Sequence, residues 1–150
     1  MAQLQKLEVQ VELNCCADKL FGMLMAKQPD IHNLSSQVHT CKVLQDNCIT
    51  VGSSRKWDFV MDGKSQFLIE RIEEIDEKNR KVNRKVIEGE LMKHYKTLYN
   101  TIEIIETGDA TCKVVFSLEY EKINEDAPEP HNVLQFSAGF FKEIACHFTN

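Results

Sequence analysis

Residues 126–148 read DAPEPHNVLQFSAGFFKEIACHF. An acid and two prolines (Asp126, Pro128, Pro130) stand just before a run whose apolar residues recur at helical spacing, a pattern that marks a helix start. One stripe is Leu134, Ala138, Phe141, Ala145 and Phe148; a second is Val133, Phe136 or Ser137, Phe140 and Ile144. Only Gln135, Lys142 and Glu143 mark a wet side. The helix predicted from His131 to Phe148 would span about 27 Å. A helix apolar over more than half its circumference is covered from more than one side, so the rest of the chain has to wrap around it.

What precedes the helix has period two. Val114, Phe116, Leu118 and Tyr120 make the last strand, and Leu98, Asn100, Ile102 and Ile104 the one before, with Gly108-Asp109 as the turn between. Val82, Arg84 and Val86 share one face of a strand that Gly89 breaks or bends. Phe67 to Ile75 is a long strand closed by a turn at Asp76 to Asn79. Trp57 and Phe59 alternate with Lys56, Asp58 and Val60, and Asp62-Gly63 is a strong hairpin turn. Gln37 to Gln45 reads as a strand, and so do Leu7, Val9, Val11 and Leu13 between Glu8, Gln10 and Glu12. Between these two, Asn14 is positioned to cap a helix with Asp18 in its first turn and Leu20, Phe21, Leu24 and Met25 on one face; Pro29 ends it or splits it in two. The order is strand, short helices, six strands, long helix. With no strand–helix alternation, a doubly wound parallel sheet is excluded. The expectation is one α+β domain over 1–150, an antiparallel meander curled around its C-terminal helix.

Composition narrows the function. The 150 residues are 43% hydrophobic and 27% charged, with six Gly and three Pro, which excludes collagen-like and wholly disordered chains. A formal net charge of −5 argues against a nucleic-acid backbone binder. No apolar run is long enough to span a membrane, and the charged, alternating first residues are not a signal peptide. The expected location is therefore cytoplasmic, with Cys15, Cys16, Cys41, Cys48, Cys112 and Cys146 as thiols. There is no CxxC, HExxH or His-x-His spacing, so no metal and no cofactor is expected.

Three stretches carry a family resemblance. They are Tyr120-Glu121-Lys122-Ile123-Asn124-Glu125-Asp126-Ala127-Pro128-Glu129-Pro130, Glu88-Gly89-Glu90-Leu91 leading to Tyr95-Lys96, and Ala17-Asp18-Lys19. In these, and over nearly its whole length, the chain resembles the major latex protein group of the plant Bet v I (pathogenesis-related class 10) superfamily. The resemblance implies a helix-grip fold: a seven-stranded antiparallel curved sheet around the long C-terminal helix, two short helices near the N-terminus, and a large apolar cavity between. It implies binding of small hydrophobic or amphipathic molecules such as sterols, cytokinins, phenolics or fatty acids, and roles in plant defence or specialised metabolism. A minority of the superfamily are cofactor-free isomerases, cyclases or condensing enzymes. One departure stands out. Where the superfamily has a glycine-rich loop, Gln45 to Ser53 retains only Gly52, so no phosphate binding is expected there.

Alternation gives the expected cavity lining: Arg55, Trp57, Phe59, Phe67, Val86, Leu98, Asn100, Ile102, Phe116, Leu118 and Tyr120 from the sheet, and Ser137, Phe140, Phe141 and Ile144 from the helix. Arg84 has two readings, since a charge among valines needs a partner. It either grips a ligand carboxylate or hydroxyl, or pairs with Glu70 or Glu88 or snorkels at the sheet end. Glu70 would face inward only if a bulge turned it. Tyr95 and Tyr99 read as surface residues, and His39 and His94 as solitary histidines. The first functional reading is a carrier of a small hydrophobic molecule, a monomer or weak dimer with no nucleic-acid partner and no membrane span. The alternative is a cofactor-independent isomerase or cyclase of a reactive terpenoid (for example iridoid) or alkaloid, with Arg84, Glu70 and His39 as catalytic residues. A third is an interaction module using the acidic outer sheet. The distinguishing feature is an acid or base that faces the cavity without a protein partner.

Overall fold

The computed structural model describes residues 4–26, 35–44 and 49–147. Its elements are β1 (Gln5–Leu13), α1 (Ala17–Leu24), β2 (Val38–Val43), β3 (Ser54–Met61), β4 (Lys64–Asp76), β5 (Lys81–Gly89), a 3-10 turn (Glu90–Lys93), β6 (Tyr95–Gly108), β7 (Thr111–Lys122) and α2 (His131–Cys146). The seven strands form one antiparallel sheet in the order β1-β7-β6-β5-β4-β3-β2. Strands β2 to β7 are a meander, and β1 adds to its far edge beside β7. The fold is the α+β helix grip expected from the sequence. The second short helix, Pro29, Cys48, most of the 45–53 loop's first half and Phe148 all fall outside the described residues.

Helix α2 lies against β1 and β7, and its aromatic rings reach further. Phe141 packs on Phe116 of β7, with centroids 6.0 Å apart, while Phe140 meets Trp57 of β3 edge-on at 5.8 Å. Phe136 packs on Phe59 at 5.3 Å. Three strands separate β3 from β7 in the sheet. One helix touches both only because the sheet curls around it. Leu20, Leu98, Val114, Leu118, Phe141 and Ile144 are all fully buried in this seam, each such side chain contributing about 1.5–3 kcal/mol by leaving water.

Turn chemistry sets the register. Asp62 and Gly63 both have positive φ, 53° and 76°, the two-residue hairpin geometry whose twist suits antiparallel strands. It pairs Met61 with Lys64 and hence Trp57 with Leu68 and Arg55 with Glu70. Gly89 ends β5 at φ 139°, where a Cβ would lie 2.5 Å from the Phe67 carbonyl oxygen.

The helix termini differ from the sequence reading. The residue before α1 is Cys16 rather than Asn14, and no side chain caps the helix; Asp18 does occupy the first turn. Pro130 precedes α2 without a side-chain cap, so Asp126 does not cap it. The start of α2 is held from outside instead. Tyr95, buried rather than exposed, donates to the Pro128 carbonyl at 2.7 Å. Tyr120 donates to Glu129, which also pairs with Lys122 at 2.5 Å, and Asn132 donates to Asp62 at 3.0 Å. Further along, Glu143 accepts from the Ser36 amide at 2.7 Å, tying α2 to the approach to β2. Cys15 and Cys112 lie with their sulfurs 3.8 Å apart and form no disulfide.

A candidate ligand cavity between sheet and helix

Inward-facing residues of β3, β4, β5 and β6 leave a space of about 90 Å³ beneath α2. Its walls are mostly apolar: Phe59, Met61, Leu68, Val86, Leu98, Ile102, Phe116 and Leu118 from the sheet, Leu91 from the 3-10 turn, Leu24 from α1, and Phe136, Phe140 and Phe141 from α2. Pockets that enclose a drug-sized ligand measure about 300–1,000 Å³. The cavity is therefore narrower than the large one that the resemblance implied, because aromatic side chains from both walls project into it.

One wall is polar. Glu70 is 3% exposed and accepts from Arg84 Nη1 at 2.5 Å, from Trp57 Nε1 at 2.8 Å and from Asn100 Nδ2 at 3.3 Å. Arg84 Nε also donates to Asn100 Oδ1 at 2.7 Å. Cross-strand pairing assembles the group: Arg84 stands opposite Asn100 on β5 and β6, and Glu70 opposite Val86 on β4 and β5. Four residues on four strands thus form one closed network. Such a network makes the buried Glu70 charge tolerable by giving both carboxylate oxygens donors.

A second space of about 20 Å³ adjoins the first, and Leu24, Arg84 and Ile102 line both. Beyond them lie Arg55 and the α1 residues Phe21 and Met25. Arg55 is 2% exposed, and its terminal nitrogens donate to the carbonyls of Leu24 and Ala26, both at 2.6 Å, satisfying acceptors at the end of α1. At the opposite end of the cavity a surface cleft of about 530 Å³ lies between the β3–β4 hairpin, the 3-10 turn and the start of α2. Met61 and Leu91 belong to both cleft and cavity.

The sequence pattern of the Pathogenesis-related protein Bet v 1 family matches residues 2–150. The chain belongs to that family. Among its relatives, MLP-like protein 28 of Arabidopsis thaliana is 36% identical over 144 residues, 95% of this chain and 43% of the relative. The chain thus spans less than half the length of the first curated relatives it matches. MLP-like protein 43 of the same plant is 32% identical across 95% of this chain and 91% of its own length. The crystal structure of ginseng major latex-like protein 151 from Panax ginseng superposes with a TM-score of 0.90 at 26% identity, covering 99% of this chain and all of that one.

Within this family fold the expected site residues separate into three groups. Trp57, Phe59, Val86, Leu98, Asn100, Ile102, Phe116, Leu118, Ser137, Phe140 and Phe141 border the cavity, as do Glu70 and Arg84. Arg55 borders the smaller space instead. Phe67, Tyr120, Ile144 and His39 border neither. Phe67 pairs with Asp58 and so points to the outer face, where Lys56 Nζ sits 5.0 Å from its ring. Tyr120 is buried at the helix start against Glu129. Ile144 is fully buried among core side chains. His39 sits at an irregularity in the β2–β3 pairing between Val38 and Thr40, and its side chain is exposed. Glu70 faces inward in the hairpin register, which places Leu68, Glu70 and Ile72 on the inner face, and the β4–β5 pairing is irregular between Ile69 and Glu70. Of the lining residues absent from the expected set, Leu68 and Met61 follow from the same register, counted outward from Asp62-Gly63. Val38 follows from no strict alternation, because the β2 irregularity brings Val38 and Cys41 to the same buried side.

Proposed function

We propose that this protein binds a small hydrophobic or amphipathic molecule in the cavity between sheet and α2. The observation that carries the reading is an apolar space enclosed by β3–β6 and α2 with a single polar wall, Trp57–Glu70–Arg84–Asn100. Apolar walls supply affinity, and a few placed polar groups fix orientation. With about 90 Å³ available, a compact phenolic or monoterpenoid-sized molecule suits the space better than a sterol or a long-chain fatty acid. Met61 and Leu91, shared by cleft and cavity, are the side chains a ligand passes on its way in. Methionine's flexible thioether suits that position.

The alternative, a cofactor-free isomerase or cyclase, needs an acid or base able to move a proton in the cavity. Among the described residues the lining carboxylate, Glu70, is engaged by three donors, and His39 lies on the outside. Carriage is therefore the better-supported reading. Native mass spectrometry of the protein mixed with extract from its own tissue tests it. A one-to-one adduct of small mass, absent when Val86 is replaced by Trp, supports carriage. An unliganded spectrum under all conditions contradicts it.

A further inference from the structure

Resting on the binding reading above, we propose that the cavity takes a carboxylate-bearing ligand, its anion held between Arg84 and Arg55 at the α1 end. Among the described residues lining the two adjoining spaces, the charged groups are Arg55, Arg84 and Glu70. Two guanidinium cations therefore face one carboxylate. A buried excess charge is costly unless something neutralises it, and here the protein supplies less negative charge than positive.

Arg84 is committed to Glu70 through Nη1 and to Asn100 through Nε. These bonds use Nη1 and Nε and leave the other terminal nitrogen, Nη2, outside the Glu70–Asn100 network. Arg55 spends both terminal nitrogens on neutral carbonyl groups of Leu24 and Ala26, and its Nε is buried with no hydrogen-bond partner. Cys41 lies beside Arg55 and cannot balance it as a thiolate, because burial pushes that thiol up to about 12. Burial holds the Arg55 guanidinium below its ordinary value, and the Arg84 charge acts in the same direction. A carboxylate between the two would relieve both effects and give the stranded Nε an acceptor.

Geometry supports the same assignment. Arg84 lines both spaces, so it marks the junction between an apolar chamber of about 90 Å³ and a recess of about 20 Å³ in which Arg55 and Arg84 stand among apolar side chains. A recess of that size holds a group no larger than about one water molecule, which suits one carboxylate oxygen. The apolar body of the ligand then extends under Phe140 toward Met61. A single water in the recess is the competing occupant, and the neutral members of a matched ligand series separate the two cases, because a water-filled recess gives an anion no advantage.

The test is calorimetric titration of the folded protein at neutral pH with 3-phenylpropanoate, 3-phenylpropan-1-ol and propylbenzene, which share one apolar body. The acid is expected to bind at least about tenfold more tightly than the alcohol, the margin of a charge-assisted contact. Arg55→Gln and Arg84→Gln should each reduce that preference, read as the ratio of acid to propylbenzene affinity within the same variant. Should either variant unfold, the wild-type series alone decides. Alcohol and hydrocarbon binding as tightly as the acid overturns the carboxylate assignment and leaves cavity binding standing. An acid preference that persists in both folded variants overturns the arginine assignment. Binding of none of the three removes both readings.

Discussion

Glu70 concentrates the electrostatics of the interior. Its carboxylate is nearly sealed from water and bonded to Arg84, Trp57 and Asn100. Removing one member of a buried pair leaves the other charge stranded, at a cost of about 3–5 kcal/mol. A double-mutant cycle of Glu70→Gln and Arg84→Met, followed by urea unfolding, should therefore give a coupling energy of at least about 1 kcal/mol. Additive effects would mean that the pair is not a functional unit of the fold. Arg84 was legible in the sequence as a charge needing a partner, with Glu70 among the named candidates. The direction of Glu70 was legible too, once pairs are counted from Asp62-Gly63. Taking Phe67 as an inward residue makes Glu70 face outward unless a bulge turns it, which is the usual consequence of a period of two. Phe67 itself shows why: an aromatic ring reads as core, yet it is sheltered on the outer face by the Lys56 side chain.

Among the elements, α2 was the easiest to read and its termini the hardest. Its apolar circumference demanded a sheet on several sides, and contacts to both β3 and β7 fulfil that demand. Its start, however, is secured by Tyr95, Tyr120 and Lys122, side chains distant in sequence that no local capping pattern reveals. The hydrogen bonds from Lys122 and Tyr120 hold the Glu129 carboxyl below its ordinary 4.5. A depressed carboxylate stabilises the fold above its unfolded pKa, and that contribution disappears as pH falls through the lower folded value. Thermal melts should show Glu129→Gln slightly less stable than wild type at pH 7, an exposed pair being worth little, with the gap narrowing as pH falls below the ordinary 4.5. An unchanged gap at acid pH would locate the effect elsewhere. Strand β5 offers a sharper test at Gly89. With φ at 139° and the Phe67 carbonyl oxygen 2.5 Å from any added Cβ, Gly89→Ala should destabilise by at least about 2 kcal/mol in denaturant titration. A cost under about 0.5 kcal/mol would mean the strand end tolerates another conformation. The sequence reading marked Gly89 as a break or bend and could not see the backbone that approaches it.

At the scale of the molecule, the sheet's curl, the helix it grips and the polar wall together enclose a space that the chain's own side chains only partly fill. Pattern reading supplied the enclosure, since alternation and helical periodicity state which faces are apolar. It supplied no volume, because how far Phe136, Phe140 and Trp57 project depends on rotamers and on the curvature of the sheet. No helix among the described residues is long and apolar enough to cross a membrane, and no described cluster of three or more acidic, His or Cys residues is placed to hold a metal ion. Among the described residues, the charged groups that line the interior spaces are Arg55, Glu70 and Arg84. The most direct test of ligand uptake is a methyl-labelled NMR titration of the folded protein with 3-phenylpropanoate. Saturable shifts are expected at Val86, Leu91, Leu98, Ile102 and Leu118, with the exposed Ile87 and Ile105 unmoved. Saturable shifts confined to Ile87, Ile105 and other outward-facing methyls, or no shifts at all, would contradict uptake in the cavity.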